Sequence, residues 1–330
     1  MDLLSREDNL KEYLISEASG FLFSELDDDF LRSSDLSYLS GVPIPIKQDD
    51  LKEFTGNGLS MTQIADNMAV VIGADYSFKH TQSYIRYLRK LFDEKVIMVF
   101  ASKARELFNL RSPRKALCYL RAGLLYDGES LDAVYAYAMG CREWYLSLEG
   151  QDDEKLISIL KAEALECYAE LTTMHPDFAP GWYYLGYAYL NSGVYKKAQL
   201  SFNHYLQCSS GQPAEDIKEI CERVEELNDP VQIERGVALL SSGKTVDGLQ
   251  ILESYIGTEY ENWWPLHFYL GSAYRQLGHT AEAVEGFLNV LELNPSNYDA
   301  MKALSELYDE LGDKEKAEKY RKKAELVLSL

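Results

Sequence analysis

Apolar side chains recur every three to four residues along most of the chain, which is the period of an amphipathic helix. Residues 60–92 hold two such stretches, MTQIADNMAVVIG after Ser60 and FKHTQSYIRYLRKLF after Ser77. Serine is a favoured residue immediately before a helix, so this pattern predicts two helices capped by these serines. Residues 3–26 carry leucines and aromatic residues at the same spacing and predict one or two further amphipathic helices.

A proline-rich segment interrupts the helical pattern. Pro43 and Pro45 force the residues before them into an extended conformation. The apolar residues Val42, Ile44 and Ile46 alternate with these prolines. We therefore expect an extended segment that lies along a groove or another surface of the protein.

From residue 96 onward the helical pattern itself repeats, with a period of about 34 residues. The clearest copy, at 264–297, is marked by Leu270, Gly271, Tyr274, Ala283, Phe287 and Pro295. The same spacing recurs upstream at Trp182, Leu185, Gly186, Tyr189, Ala198 and Phe202, and downstream at Leu304, Ser305, Tyr308 and Ala317. These residues resemble the pattern of the tetratricopeptide repeat (TPR) family, and the resemblance implies a series of helix pairs.

Two small residues give this spacing a physical reason. Gly271 on the first helix and Ala283 on the second let the two backbones approach closely, and larger side chains close the gap around them. One such pair cannot bury its apolar face alone, so neighbouring pairs must stack on it. The residues predicted to pack the repeats are Gly140, Ala164, Trp182, Leu185, Gly186, Ala198, Phe202, Gly236, Leu270, Gly271, Ala283, Phe287 and Ala317.

The predicted fold is all-α: an α-solenoid, a superhelical array of about six TPR-like helix pairs, behind a mainly helical N-terminal extension. The extension covers 1–95, is acidic and includes the extended segment 42–46. The solenoid covers 96–330, with units near 96–129, 131–176, 179–212, 229–262, 264–297 and 298–330 and an additional helix at 213–227. In this interpretation Gly140 marks the small position of the second unit, and the lysine-rich last helix caps the array.

The charge of the chain limits the classes of partner. The formal net charge is −20, which argues against nucleic acid or an anionic membrane as the main partner, because both would be repelled. No apolar run reaches the roughly 18 residues of a membrane span, and the residues after Met1 do not form a secretory signal. Five cysteines without a CxxC pair indicate reduced thiols in a cytoplasm: Cys118, Cys141, Cys167, Cys208 and Cys221.

The chain offers weak signals for catalysis, metal binding or DNA binding. The run Asp27-Asp28-Asp29 lacks the alternating spacing of a calcium loop and is expected to be a solvated face, so no metal is predicted. The five histidines show no metal-binding spacing, and no phosphate loop or nucleophile motif predicts a cofactor or a catalytic residue. In the two helices of 60–92, Gly73 comes eight residues after Ala65, too late for the turn of a DNA-binding helix-turn-helix.

The resemblance to the TPR family implies a groove lined by the first helices of successive pairs, which binds an extended or helical peptide. The groove positions carried over to this chain are mostly aromatic, and tyrosine and tryptophan bury a large area with few rotatable bonds. They are Tyr183, Tyr187, Leu190 and Asn191 in the third unit, Phe268, Ser272, Arg275 and Gln276 in the fifth, and, if Gly140 is the correct anchor, Tyr137, Trp144 and Tyr145 in the second. One subset of the family grips a C-terminal carboxylate of its partner with lysine, arginine and asparagine at groove positions. The equivalent positions here are mainly Tyr183, Tyr187, Phe268 and Tyr269, so such a clamp is not predicted.

Three hypotheses follow. The first is a non-catalytic cytoplasmic scaffold whose concave groove binds a peptide or helix of a partner protein. The second is a peptide-sensing regulator in which the N-terminal helices act as the effector, and the third is an enzyme with an unrecognised N-terminal site. The alternative that the N-terminal segment itself fills the groove stays open, as do the identity of the partner and the oligomeric state.

Overall fold

The computed structural model describes residues 3–47, 60–92, 95–148, 150 and 153–328. The chain forms two compact units. Unit 1 comprises Met1–Gly193 and Leu200–Pro213, and unit 2 comprises Val194–Gln199 and Ala214–Leu330. The expected boundary at residue 96 is therefore not where the chain divides, because the N-terminal region belongs to the same compact unit as the first helix pairs.

The described residues of the N-terminal region form four α-helices and two short strands. The elements in chain order are α1 (Lys11–Leu14), β1 (Phe21–Ser24), α2 (Asp28–Ser33), β2 (Ile44–Lys47), α3 (Met61–Ala74) and α4 (Thr81–Phe92). The prediction of amphipathic helices over 3–26 was wrong at β1, and α1 is a single turn. The apolar spacing of this segment instead serves packing, because Leu3, Leu10 and Leu14 are buried in the core of unit 1.

The extended proline segment forms the inner strand of a two-stranded antiparallel sheet. In the register of the two strands, Phe23 lies opposite Pro45 and Leu22 lies opposite Ile46. The Asn67 side chain on α3 donates from Nδ2 to the Pro45 carbonyl oxygen at 3.0 Å. The Tyr84 hydroxyl on α4 donates to the carbonyl oxygen of Pro43. These two side chains hold β2 against the helices and satisfy carbonyl groups that a buried strand would otherwise leave unpaired.

Helix α3 lies at the centre of unit 1. Ser60 caps this helix, as the sequence predicts, and Gln63 completes a reciprocal capping box with it. Ten of its 14 residues are buried, so the helix is apolar on nearly all sides. The backbone at Gly73 meets the backbone of Cys118, and a Cβ at this glycine would lie 1.9 Å from the Cys118 carbonyl oxygen. This contact joins the N-terminal region to the first helix pair.

The start of α4 differs from the prediction. The helix begins at Thr81 rather than directly after Ser77. Ser77 instead lies in the preceding turn, where its backbone N–H and its hydroxyl both donate to the Asp75 carboxylate. The serine therefore stabilises a turn, and it does not cap the helix.

The remaining described helices form pairs, apart from the single helix α11 (Ala214–Glu226). Unit 1 contains α5 (Val96–Asn109) with α6 (Pro113–Tyr126), α7 (Leu131–Ser147) with α8 (Glu154–Met174), and α9 (Ala179–Asn191) with α10 (Tyr195–Gln207). Residues of α10 are divided between the two units. Unit 2 contains α11 (Ala214–Glu226), α12 (Asn228–Ser241) with α13 (Thr245–Glu253), α14 (Trp264–Gln276) with α15 (Thr280–Leu293), and α16 (Tyr298–Glu310) with α17 (Lys314–Leu328). The predicted all-α class, with helix pairs in solenoid order, is confirmed.

Along the described residues, no helix combines the length and apolar character needed to cross a membrane.

Small residues lie where the helices of a pair approach each other in unit 2. A Cβ at Gly271 would lie 3.3 Å from the Ala283 carbonyl oxygen, as the pairing of these two residues predicts. Gly286, which the sequence interpretation overlooked, comes closer still, because its Cβ would lie 2.8 Å from the Gly271 Cα. In the last pair, Ser305 fills the position of the glycine, and its hydroxyl donates to the Ala317 carbonyl oxygen at 3.0 Å. The helices of a pair thus approach closely because the facing side chains are small and, in the last pair, because a serine hydroxyl bonds the backbone of the second helix.

Gly140 has a different role from the one predicted. A Cβ at this position would lie 2.3 Å from Cδ1 of Leu120, which belongs to α6 in the preceding pair. The glycine therefore brings α7 close to the pair before it. The residue that corresponds to Gly186, the small residue of the next pair, is Ala138, which is fully buried. Ala138 lies three residues after Tyr135, just as Gly186 lies three residues after Tyr183.

Candidate functional site

The structure divides the predicted groove residues among core and surface. Tyr183, Tyr187 and Leu190 on α9 are partly exposed and Asn191 is exposed. Tyr145 on α7 is also partly exposed, and the Lys161 ammonium lies 5.6 Å from the centre of its ring. These five residues lie on the surface of unit 1.

Tyr137 and Trp144 are buried, with 1% and 2% of their surface exposed, so their prediction as groove residues was wrong. The two positions were assigned by counting from Gly140 as the small residue that faces the second helix of its own pair. In the structure Gly140 faces the preceding pair instead. The Tyr137 hydroxyl donates to Glu163 Oε2 at 2.9 Å inside unit 1. Burial raises the pKa of Tyr137 well above its ordinary value, so its hydroxyl remains a hydrogen-bond donor.

Partly exposed tyrosines form a continuous surface on α7 and α9. The Tyr183 ring centre lies 5.0 Å from that of Tyr187 and 5.1 Å from that of Tyr184. Tyr184 in turn lies 6.2 Å from Tyr135 on α7. We call these four residues, Tyr135, Tyr183, Tyr184 and Tyr187, the tyrosine face. It joins the first helices of two neighbouring pairs in unit 1.

Buried rings support the tyrosine face from below. Tyr168 on α8 stacks on Tyr184 with ring centres 5.5 Å apart and planes 20° apart. Phe202 packs edge-on against Tyr187 at 5.1 Å, and its ring also occupies the space beside Gly186. Such aromatic pairs restrict the orientation of each ring, so the surface tyrosines are held in place before any partner arrives.

One cation and the tyrosine hydroxyls give this surface its polar character. The Arg142 guanidinium lies 5.4 Å from the centre of the Tyr184 ring, a cation–π geometry. Burial raises the pKa of Tyr135 to about 12, and a hydrogen bond between the Tyr135 and Tyr184 side chains contributes to the shift. The surface therefore presents neutral aromatic groups beside one positive charge.

The sequence interpretation missed Tyr135, Tyr184 and Arg142. The signal was present, because Arg142 lies four residues after Ala138 just as Leu190 lies four residues after Gly186. Choosing Ala138 instead of Gly140 as the anchor would have placed Tyr135 and Arg142 in the predicted set. Gly140, two residues after Ala138, was chosen instead because glycine is the usual residue at this position of the repeat.

The predicted groove residues of unit 2 are engaged with their own neighbours. Arg275 forms ion pairs with Glu306 at 2.8 Å and Glu310 at 3.0 Å on α16. The Ser272 hydroxyl donates to the Phe268 carbonyl oxygen at 2.8 Å. The Gln276 side chain accepts a hydrogen bond from the Thr245 hydroxyl, and the Phe268 ring packs edge-on against Phe287 at 5.5 Å. The polar groups of this set therefore already bond a neighbouring helix or, for Ser272, their own helix.

The N-terminal segment docks on second helices of the pairs, whereas the tyrosine face lies on first helices. Arg121 on α6 donates from Nη2 to Asp8 Oδ2 at 2.5 Å. On α8, Lys155 pairs with Glu12 at 2.7 Å, and Glu166 pairs with Arg6. A cavity of about 170 Å³ lies beside this contact and is lined by Arg6, Asn9, Ser158, Ile159, Ala162, Glu163 and Glu166. These contacts hold residues 6–12 without using the tyrosine face.

The described residues contain no group of three or more His, Cys, Asp or Glu side chains that could hold a metal ion. Asp27, first of the three consecutive aspartates, caps α2 by accepting hydrogen bonds from the N–H groups of Asp29 and Phe30. Asp29 pairs with Arg32 at 2.7 Å on the exposed side of the same helix. These carboxylates therefore have structural partners.

Two models of the tetratricopeptide repeat match the sequence, one over residues 264–297 and one over residues 161–213. No curated protein matches the chain significantly. Among solved structures, the P58(IPK) TPR domain is 16% identical, with 80% of this chain and 68% of that chain covered and a TM-score of 0.46. MamA from Desulfovibrio magneticus RS-1 is 17% identical, covering 58% and 95%, with a TM-score of 0.31. The Cut9-Hcn1 hetero-tetramer of the APC/C is 13% identical, covering 96% and 55%, with a TM-score of 0.35. We draw no functional conclusion from likenesses at these TM-scores.

Proposed function

This chain is a tetratricopeptide-repeat protein, and from that premise we propose that it is a non-catalytic scaffold for protein–protein interaction. Its binding surface is the tyrosine face of unit 1, which takes a peptide segment or a helix of a partner protein. The observation that carries the proposal is the continuous contact of Tyr135, Tyr184, Tyr183 and Tyr187 across the first helices of two pairs.

The physical properties of the tyrosine face support binding of a protein segment. Each tyrosine offers a large apolar ring with two rotatable bonds, so little conformational entropy is lost when a partner covers it. The buried rings of Tyr168 and Phe202 hold the surface rings in position beforehand. Tyrosine hydroxyls are polar groups of the kind that bond the backbone of a bound segment, which lets one surface recognise an extended chain or a helix.

The proposal is tested with a partner identified by co-purification from the native cell and then purified. The double variant Tyr183→Ala/Tyr187→Ala should weaken the dissociation constant for that partner by about tenfold or more, since buried aromatic anchors contribute most of the energy of an interface. Tyr298→Ala is a matched control, because this tyrosine is also partly exposed but lies in unit 2. Equal affinity of the double variant and the unsubstituted protein would refute the assignment of the surface, provided that circular dichroism shows both folded.

The structure also changes how the regulator hypothesis would be examined. Removal of residues 1–95 would delete α3, whose Gly73 packs on the backbone of Cys118 in the first helix pair. That truncation would expose the apolar core of unit 1 and would not isolate an effector from a sensor. Point substitutions on the tyrosine face therefore give a cleaner test of binding than truncation.

A further inference from the structure

We propose a second interaction surface, separate from the tyrosine face: the outer edge of β1, which pairs with an extended, basic segment of a partner protein. The inference is drawn from the position of β1 in the sheet, the exposure of its side chains and the charge of the residues that flank it. The proposal does not depend on what the tyrosine face binds.

β1 is the outer strand of the sheet. Ile44 and Ile46 on β2 are buried, with 1% and 2% of their surface exposed. Leu22 and Phe23 on β1 are each 44% exposed. Among the described residues the sheet has two strands, so the far side of β1 has no strand beside it. An exposed edge with apolar side chains is the usual template for an added strand.

The contacts of Pro45 show which backbone groups of β1 face this edge. The Pro45 carbonyl oxygen accepts its hydrogen bond from Asn67 on α3, so it points away from β1. Phe23 lies opposite Pro45, and the paired residues of an antiparallel ladder alternate between bonding each other and pointing outward. The N–H and C=O groups of Phe23 therefore point outward as well, where an added strand can bond them.

β1 also lacks two of the residue types with which proteins usually protect an edge. None of its residues is a lysine or a proline, and the strand is followed by exposed carboxylates. A ring contact at 5.9 Å between Phe23 and Phe78 holds the Phe23 side chain beside the turn that precedes α4 and leaves it accessible. A partner strand could therefore pack an apolar side chain against Phe23 while its backbone pairs with β1.

Charge selects the partner. The sequence from Glu17 to Asp29 contains five carboxylates and no lysine or arginine. A second copy of this chain, paired along β1, would bring the same carboxylates together and would be repelled. A strand with lysine or arginine on alternate positions would be attracted, and the attraction would raise its rate of association. We therefore assign the edge to a basic extended segment.

The direct test uses a fluorescent peptide of alternating lysine and valine, with an alternating glutamate and valine peptide of equal length as its control. The basic peptide should bind, and Phe23→Lys should weaken its binding about tenfold, since a lysine on the edge repels it and removes an apolar contact. Phe30→Lys is the matched control: it makes the same change at a phenylalanine that is 45% exposed but lies outside the strand. Equal weakening by both variants would mean attraction to the acidic surface alone and would overturn the proposal.

Amide exchange on the unsubstituted protein gives a second test that does not rely on a folded variant. Bound basic peptide should slow exchange of the Phe23 amide about tenfold, whereas the Leu22 amide should change little because it faces β2. No change at Phe23 with the peptide bound would overturn the assignment. Concentration-dependent dimerisation that Phe23→Lys abolishes would also overturn it, by showing that the edge pairs with a second copy of this chain.

Discussion

The Arg121 guanidinium, with 1% of its side chain exposed, donates to the Asp8 carboxylate across 113 positions of sequence. The Tyr76 ring lies over the same guanidinium, with its centre 4.7 Å from Cζ. Nε and Nη1 of Arg121 are buried and have no hydrogen-bond partner among the described residues. Asp8 therefore supplies the negative charge that compensates this buried cation, and it ties the start of the chain to α6.

Asp8→Asn should destabilise unit 1 by about 3 kcal/mol, because removing one member of a buried ion pair leaves the other charge uncompensated. The measurement is the urea midpoint, or amide exchange in α6 if the N-terminal segment detaches locally. Glu12→Gln is the control from the same segment: both side chains of its pair with Lys155 are exposed, so the loss should be much smaller than that of Asp8→Asn. Similar losses in the two variants would show that Arg121 does not depend on Asp8.

Two glycines in adjacent helices should respond oppositely to alanine. Gly73→Ala would place a methyl group 1.9 Å from the Cys118 carbonyl oxygen, and backbone cannot yield as a side chain does. We expect a loss of about 3 kcal/mol or more in the free energy of unfolding. Gly123 in α6 has open space where its Cβ would lie, so Gly123→Ala should stabilise the protein by about 0.5–1 kcal/mol. Equal effects in urea denaturation would contradict the close packing of α3 on α6.

Much of the helix-pair organisation could be predicted because its determinants are local. The turn and the two helices of a pair lie within about 34 residues, and the small positions such as Gly271 and Ala283 recur within that window. In the structure a Cβ at Gly271 would lie 3.3 Å from the Ala283 carbonyl oxygen. The cap at Ser60 is equally local and was predicted, although the part that Gln63 plays in it was not.

The elements that escaped prediction depend on distant partners. β1 is a strand because it pairs with β2, about twenty residues further along, and its own apolar spacing also fits a helix. Ser77 was expected to cap a helix, but the nearby Asp75 accepts its hydrogen bonds and the helix starts later. Among the candidate binding residues, Tyr137 was expected to be exposed because Gly140 fits, in the sequence, the position of the small residue of its own pair. Only the contact between Gly140 and Leu120 of the preceding pair shows which side of the helix faces inward.

Alanine should also distinguish the two best repeat glycines. A Cβ at Gly186 would lie 2.3 Å from Cε1 of Phe202, whereas a Cβ at Gly271 would meet its nearest atoms at 3.3 Å. Gly186→Ala must displace a buried ring that supports Tyr187 and should cost about 2 kcal/mol. Gly271→Ala should come out near zero, since mild crowding is offset by the better helix propensity of alanine. Thermal unfolding of each variant gives the comparison, and a larger loss at Gly271 would contradict it.

The buried thiol of Cys118 makes stability depend on pH in the alkaline range. Burial raises the pKa of this thiol from its ordinary value of 9.0 to about 12. Below about pH 9 both the folded and the unfolded chain keep the proton, so the free energy of unfolding does not depend on this group. Between about pH 9 and about pH 12 the unfolded chain releases the proton and the folded chain retains it, so stability falls as pH rises.

Cys118→Ala should therefore flatten the decline of the urea midpoint between about pH 9 and about pH 10.5, by an amount approaching 1.4 kcal/mol per pH unit for one proton. The slope is the relevant readout, because the substitution also changes packing beside Gly73 and lowers stability at every pH. Cys221→Ala serves as the control, since that thiol is exposed, and no comparable flattening is expected. If native Cys118 were alkylated by iodoacetamide at pH 8 as fast as Cys221, the thiol would be accessible and the argument from burial would fail.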